Sequence, residues 1–190
     1  MNERIQKFAK FFRAIFFIAL ILSPLIVGSI WLTGGEIMVF GDEDPGLAIQ
    51  MLTEDFGMDA EYMPAFPLAW SIRLLGLAVD MIPTAIGMLS LWWLVRLFSC
   101  FAAGEIFTQN TVTYIRRTGW TMLIGVCVGP IHEALMTVVL TMHNSPGNRL
   151  VSITLDSANI EELIIAGVII LVSWIMEEGR KLREVNELTV

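Results

Sequence analysis

The sequence predicts an all-α integral membrane protein, a four-helix bundle with both termini in the cytoplasm and an acidic extracytoplasmic loop. Three observations carry that prediction. Hydrophobic residues make up 55% of the chain and charged residues 16%, against roughly 25% charged in soluble domains. The apolar residues form long runs instead of recurring at amphipathic spacing, the mark of segments that lie in lipid. The basic residues, finally, fall almost entirely on one side of the arrangement those runs define. At 190 residues the chain is one membrane domain, residues 1–190.

The first span is Ala14–Leu32, 19 uncharged residues, close to the roughly 20 needed to cross a hydrocarbon layer of about 30 Å. Arg4, Lys7, Lys10 and Arg13 precede it. A signal peptide also begins this way, but the run is long for one and no A-x-A-like cleavage site follows. It therefore reads as an uncleaved span. The second span covers about 68–95, with Pro67 suited to a first helical position, where a missing N–H costs nothing. Its helix is expected to continue to Ala103 and stop at Gly104. Thr108 then caps a new helix, which passes Arg116 and Arg117 into the third span, 119–142. The fourth span, 160–176, is the shortest. Only Leu163–Met176, 14 residues, is uncharged, or roughly 21 Å of helix. Glu161 and Glu162 bound it on one side and Glu177 and Glu178 on the other, and Asn159 with Glu162 has the form of a capping box at its start.

Charge fixes the orientation. With residues 1–13, 96–118 and 177–190 in the cytoplasm, ten of the 12 basic residues lie inside: Arg4, Lys7, Lys10, Arg13, Arg96, Arg116, Arg117, Arg180, Lys181 and Arg183. Only Arg73 and Arg149 fall outside, as the positive-inside rule requires. The extracytoplasmic segments are 33–67 and 143–159. The first carries Glu36, Asp42, Glu43, Asp44, Glu54, Asp55, Asp59 and Glu61 and no base. Within it, Asp44-Pro45 opens a short helix with Leu47, Met51, Leu52 and Phe56 on one side, expected to lie on the membrane or over the bundle mouth. In the second, Leu150–Leu155 alternates as a short strand would, with Glu36–Phe40 as its expected pairing partner. The net charge of −7 is thus sorted across the membrane, and no basic, aromatic-studded stripe supports direct nucleic-acid binding. Cys100 and Cys127 have neither the location of a disulfide nor metal-ligand spacing. No internal repeat of the transporter type is present.

Asp80 in the second span and His132 and Glu133 in the third are the ionisable residues inside the apolar runs. Gly76, Asp80, Thr84 and Gly87 share one face, as do Gly125, Gly129 and Glu133, and small residues at that spacing let helices approach closely. Both polar faces are therefore expected to point inward, with the three ionisable groups at similar depth in the outer half. Such residues are costly in hydrocarbon and usually paired. Three roles are open to them: a hydrogen-bonded cluster locking two helices, an ion or proton site, or a catalytic metal centre. Adjacent His132 and Glu133 do not share a helix face as the i, i+4 histidines of HExxH do, so no metal or cofactor is implied. Pro24, Pro83 and Pro130 mark kinks. Trp31, Trp70, Trp92, Trp93, Trp120 and Trp174 sit mostly near span ends, as an aromatic belt would. No nucleophile elbow or phosphate loop is present.

Two cytoplasmic stretches carry a resemblance. Leu97-Phe98, Gly104-Glu105-Ile106-Phe107-Thr108 and Ile115-Arg116-Arg117-Thr118-Gly119-Trp120 resemble the central signature of a bacterial membrane family, domain of unknown function 2975. The tail Glu177-Glu178-Gly179-Arg180-Lys181-Leu182, with Asn186-Glu187-Leu188-Thr189-Val190, is similar to its C-terminal signature. This chain has Glu184-Val185-Asn186 where the usual form has Glu-Glu-Asn. The resemblance covers about residues 70 to 190. It implies four helices, a bacterial inner (plasma) membrane crossed several times, and no established activity. It also implies frequent encoding beside a small helix-turn-helix regulator. His132 and Glu133 belong to none of its motifs.

These readings point away from an enzyme. The expected function is sensing or regulation through a cytoplasmic partner, docked on the motif residues Gly104, Glu105, Phe107, Thr108, Arg116, Arg117, Glu177, Glu178, Gly179 and Arg180. Packing is the competing role of these residues, with Arg116 and Arg117 pairing to Glu177, Glu178 or Glu184. The alternative function is a small ion- or proton-coupled transporter using Asp80, His132 and Glu133. Besides the lipid bilayer, the candidate partners are a cytoplasmic regulator protein and a second copy of the chain.

Overall fold

The computed structural model describes residues 3–34, 49, 62, 64, 67–154 and 157–187. They form four long helices, α1 (Glu3–Thr33), α2 (Trp70–Ala103), α3 (Gln109–Thr141) and α4 (Ser157–Glu187), and no strand occurs among them. All four are long and apolar enough to cross a membrane. Large apolar side chains stay exposed along every helix, among them Leu25, Leu74, Ile131 and Ile164. Water would penalise such a surface and lipid accepts it.

Two helix starts differ from the expectation. The second helix begins at Trp70, so Pro67 precedes it by three residues instead of opening it. Arg73 Nε bonds the Leu68 carbonyl at 3.0 Å, and the first helical acceptor is the carbonyl of Ala69, reached by Ile72 and Arg73. The fourth helix begins at Ser157, so Asn159 lies in its first turn and not ahead of it. Ala158 favours helix, in keeping with the earlier start. The short helix expected to open at Asp44-Pro45, and the segment 36–40 expected to pair with 150–155, lie outside the described residues, except that Ile49 is helical and fully buried.

The chain divides into two compact units, and α1, α2 and α3 contribute to both. The first gathers residues 1–22, 86–126 and 157–190. Here the start of α1 meets the end of α2 through aromatic rings: Phe98 lies 5.7 Å from Phe12 and 5.3 Å from Phe16, centroid to centroid. Such tilted and offset rings add roughly 0.5–1.5 kcal/mol per pair beyond area burial. Helix α4 joins through a narrow stripe, Ala166, Ile170 and Ser173, all buried. Gly119 makes this approach possible. A Cβ there would stand 2.7 Å from Ile170 Cγ1 and 3.2 Å from the Ile170 backbone nitrogen. Between α2 and α3 the chain turns at Gly104, whose φ of 92° suits glycine alone at low cost. Glu105 N bonds the Cys100 carbonyl at 2.9 Å to close α2, and Thr108 Oγ1 accepts from Thr111 N at 3.4 Å to open α3.

The second unit comprises residues 23–85 and 127–156. Its core is Trp31, Ile49, Leu68, Ile72, Met136, Val139 and Leu140. Arg73 closes the end of α1 by donating to the Leu32 carbonyl at 3.3 Å, which supplies both a partner and a positive charge to the helix C-terminus.

Replacing Gly119 with valine forces α3 from α4 and is expected to cost about 1–3 kcal/mol, read as a lower Tm in detergent. The same substitution at Gly167, where a Cβ meets nothing within 4 Å, should leave Tm nearly unchanged; equal losses at both positions would refute the close contact.

Candidate functional site

In the second unit, side chains of three helices meet at a carboxylate. Asp80, a third of the way along α2, accepts from the indole Nε1 of Trp31 at 2.6 Å. Its other oxygen lies 2.8 Å from His132 Nε2 on α3. An indole nitrogen can only donate, so Asp80 Oδ2 is an acceptor there. A single proton lies between Oδ1 and the imidazole. Both side chains are largely enclosed, with 14% of Asp80 and 13% of His132 accessible.

Local sequence explains the arrangement. Gly76 lies one turn before Asp80 on the same face, and the Trp31 ring lies where its side chain would be: a Cβ on Gly76 would stand 2.2 Å from the ring. The indole therefore slides across α2 until its N–H reaches the carboxylate. Pro83 removes the N–H that would otherwise bond the Val79 carbonyl, and Thr84 bonds its hydroxyl back to the Asp80 carbonyl at 2.7 Å. Trp31 is only 1% exposed. Its expected role as a belt residue at the membrane surface is corrected, because its ring packs against a glycine and its polar atom has an internal acceptor. Trp70, Trp120 and Trp174 are exposed instead.

Glu133 does something else. It is 7% exposed and accepts from Thr154 twice, from the backbone N–H at 2.8 Å and the hydroxyl at 2.7 Å. One turn further along α3, Thr137 Oγ1 accepts from Ser152 N at 3.2 Å. A further turn on, Thr141 Oγ1 accepts from Leu150 N, also at 3.2 Å. Alternate N–H groups of 150–154 are thus satisfied by side chains four residues apart on a helix. The spacings agree: two extended residues advance about 6.8 Å, and four helical residues rise about 6.0 Å. The segment runs antiparallel to α3, with Val151 and Ile153 turned outward at 66% and 64% exposure. The alternation expected of a strand is present in its side chains, but its hydrogen-bonding partner is a helix face.

His132 and Glu133, adjacent in sequence, therefore serve different neighbours: His132 bonds Asp80, and Glu133 holds the extended segment. Among the described residues no group of three or more His, Cys, Asp or Glu is placed to hold a metal. What the Trp31–Asp80–His132 group can do chemically is hold or exchange a proton.

The motif residues lie in the first unit. Arg116 pairs with Glu177 at 3.1 Å, joining α3 to α4. Arg117, the next residue, lies over Trp93 at 4.6 Å, and Arg96 over Trp92 at 4.7 Å. Trp93 stacks in turn on Tyr114 at 6.1 Å. Sequence reasoning placed Arg117 among the ion pairs; the aromatic partner wins because Trp93 stands opposite it on α2. Arg180 pairs with Glu184 and Lys181 with Glu178, both within α4. Thr111, buried in the turn, donates to the Glu105 carbonyl at 2.8 Å. Phe107 is 52% exposed and Glu105, Arg96, Arg117, Glu178 and Gly179 are exposed.

A family model described as a protein of unknown function, DUF2975, matches residues 50–190. The match takes in Asp80, His132, Glu133 and every motif residue and leaves out Trp31. No curated protein and no solved structure matches the chain.

Replacing Glu133 with alanine strips the acceptor from Thr154 and is expected to cost about 1–3 kcal/mol. Hydrogen exchange should then accelerate at the Thr154 amide first and at Ser152 and Leu150 less. Protection unchanged at Thr154 would contradict the role given to Glu133. Trp31→Phe, which removes the donor to Asp80 and shrinks a buried ring, should lower Tm in detergent, by at least about 1 kcal/mol of stability.

Proposed function

The chain belongs to the DUF2975 family, and because that membership carries no activity, we propose a function from its own chemistry: a non-enzymatic membrane protein that senses or regulates through a protein partner on its cytoplasmic face. In this reading it is a bacterial inner-membrane protein with both termini inside, the orientation favoured by the ten basic residues of 1–13, 96–118 and 177–190.

The observation that supports it is the surface formed by the ends of α2 and α3. Arg96 and Arg117 are held against the faces of Trp92 and Trp93 and remain exposed. A guanidinium on an aromatic ring keeps its outward N–H groups available, and its direction is fixed in advance. Phe107 stands exposed on the intervening turn, beyond the apolar run where lipid would cover it. Fixed cations beside one exposed aromatic suit a partner that brings carboxylates and an apolar contact, since ordering cost is already met on this side.

A second reading, a small ion- or proton-coupled transporter, is favoured by the Asp80–His132 contact alone. An enclosed carboxylate–imidazole pair inside a span is a functional candidate by default. Glu133 supports this reading less, because both its oxygens are engaged by Thr154.

The docking reading is tested by reversing charge at Arg96 and Arg117, both to Glu, in the full-length protein. Retention of a copurifying cytoplasmic partner should fall about tenfold or more with helix content unchanged by circular dichroism; a partner set identical to the parent's would sink it. For the transport reading, ion flux into proteoliposomes should stop in Asp80→Asn and persist in Glu133→Gln, which keeps an acceptor for Thr154. Flux unchanged by Asp80→Asn would end that reading.

A further inference from the structure

Helix α4 packs into the first unit with one face and leaves the opposite face bare. The packed face is Ala166, Ile170 and Ser173, at 0%, 7% and 0% exposure, continued by Glu177 toward Arg116. On the opposite face, Ile164, Val168, Leu171, Ile175, Glu178, Leu182 and Val185 follow one another at alternating intervals of four and three residues. The six apolar ones are 59%, 52%, 52%, 63%, 61% and 61% exposed. In heptad terms, Val168, Ile175 and Leu182 take the a positions, and Ile164, Leu171, Glu178 and Val185 the d positions. The buried Ala166 and Ser173 then fall at f and Ile170 at c, on the far side of the helix from an a/d seam.

Lipid could cover the seam as far as Met176, the last residue of the uncharged run. Hydrocarbon about 30 Å thick, centred on an uncharged run of roughly 21 Å, ends about 5 Å past Met176. Leu182 and Val185 stand about 9 and 14 Å past Met176 along the helix, in a stretch where Glu177, Glu178, Arg180, Lys181, Arg183, Glu184 and Glu187 are charged. Two exposed aliphatic residues in such surroundings, on the same heptad stripe as the apolar run, call for a protein partner.

We propose that α4 of a second copy of the chain occupies this seam, in a parallel two-fold dimer. Two copies in one membrane share orientation, and a two-fold axis along the membrane normal sets each a and d residue against its own counterpart. A 3.5-residue repeat packs knobs into holes at a shallow left-handed crossing in both lipid and water. Val168 and Ile175 at a, with Leu171 at d, is the combination favoured in parallel pairs, whereas Ile164 and Val185 at d and Leu182 at a do not follow it. Gly167 and Gly179 flank the seam at g and e, with nothing within 4 Å of a Cβ at either, so the backbones have room to approach. The one charge in the seam, Glu178, is held by Lys181 of its own helix at 3.3 Å, which offsets the repulsion between the two copies. This inference does not depend on the docking reading and uses a different face of the molecule.

Disulfide cross-linking in native membranes tests it, in a chain carrying Cys100→Ser and Cys127→Ser. Leu182→Cys and Val185→Cys should each convert most of the protein to a covalent dimer under mild oxidation, and Glu184→Cys, at c on the packed side, should give little. No dimer at 182 and 185, or an equal yield at 184, overturns the proposal. Native mass spectrometry of the unaltered chain released from nanodiscs should show two copies. The double variant Leu182→Asp, Val185→Asp should show one, with helix content retained. A single copy from the unaltered chain, or a complex with an unrelated protein that the double variant releases, would also overturn it.

Discussion

The second unit is organised by one carboxylate. Asp80 binds a residue 49 positions before it and another 52 positions after it, so three helices meet at two oxygens. In an apolar surrounding each of these contacts is costly to lose. A buried donor or acceptor left without its partner forfeits a desolvation energy of roughly 1–3 kcal/mol, and more when charged. The constraint is directional as well as energetic. A helix turns about 100° per residue, so shifting α2 by one position would carry Asp80 away from both partners. Gly76 then follows as a requirement, because the indole can reach the carboxylate only if the residue one turn earlier has no side chain. Lipid gives helices no hydrophobic reason to choose one rotation over another. A polar contact of this kind makes the choice.

Helix α3 applies the same logic to the backbone. Residues 150–154 lie in neither helix nor strand, and their N–H groups still require partners. Glu133, Thr137 and Thr141 provide them from one face of the helix. Each threonine also donates its own proton back along the helix, Thr137 to the Glu133 carbonyl and Thr141 to the Thr137 carbonyl. A hydroxyl that donates to its own helix and accepts from the segment beside it uses its one donor and one of its two lone pairs. This is how irregular backbone is tolerated near a membrane: it lies against protein groups that complete its hydrogen bonds.

Much of this was legible in the residues, and what was not has a physical cause. The four helices follow from apolar run length, which lipid makes a strong signal. The Gly104 and Thr108 ends of α2 and α3 follow from backbone conformation and capping chemistry, both local. The identity of Asp80's partners was half legible. His132 carried a polar atom at the right depth, but Trp31 looked like a surface anchor because depth alone cannot show which way an indole points. Gly76 and Asp80, one turn apart, were the available clue: a gap and an acceptor on one face fit a large ring with one donor. Glu133 was expected in one group with Asp80 and His132, and the 100° between neighbouring residues on a helix is why it bonds elsewhere. Its partner Thr154 was hidden, since nothing local says that a helix side chain will act as a strand edge.

The adjacent arginines of the family motif show the same division with a different consequence. Arg116 reaches Glu177 across to α4, yet 37% of the arginine and 25% of the glutamate side chain is accessible. An ion pair that wet contributes on the order of 0–1 kcal/mol, so stability alone does not account for it. Arg117 turns to Trp93 instead, and Trp93 is itself stacked on Tyr114. Neither cation anchors the fold as Asp80 does; each is held at a defined angle by a neighbour that stays in place. Interactions of small energy and fixed direction suit a surface that presents groups outward. The two units therefore differ in kind, one using polar groups to choose among helix rotations and the other using aromatic faces to aim charges.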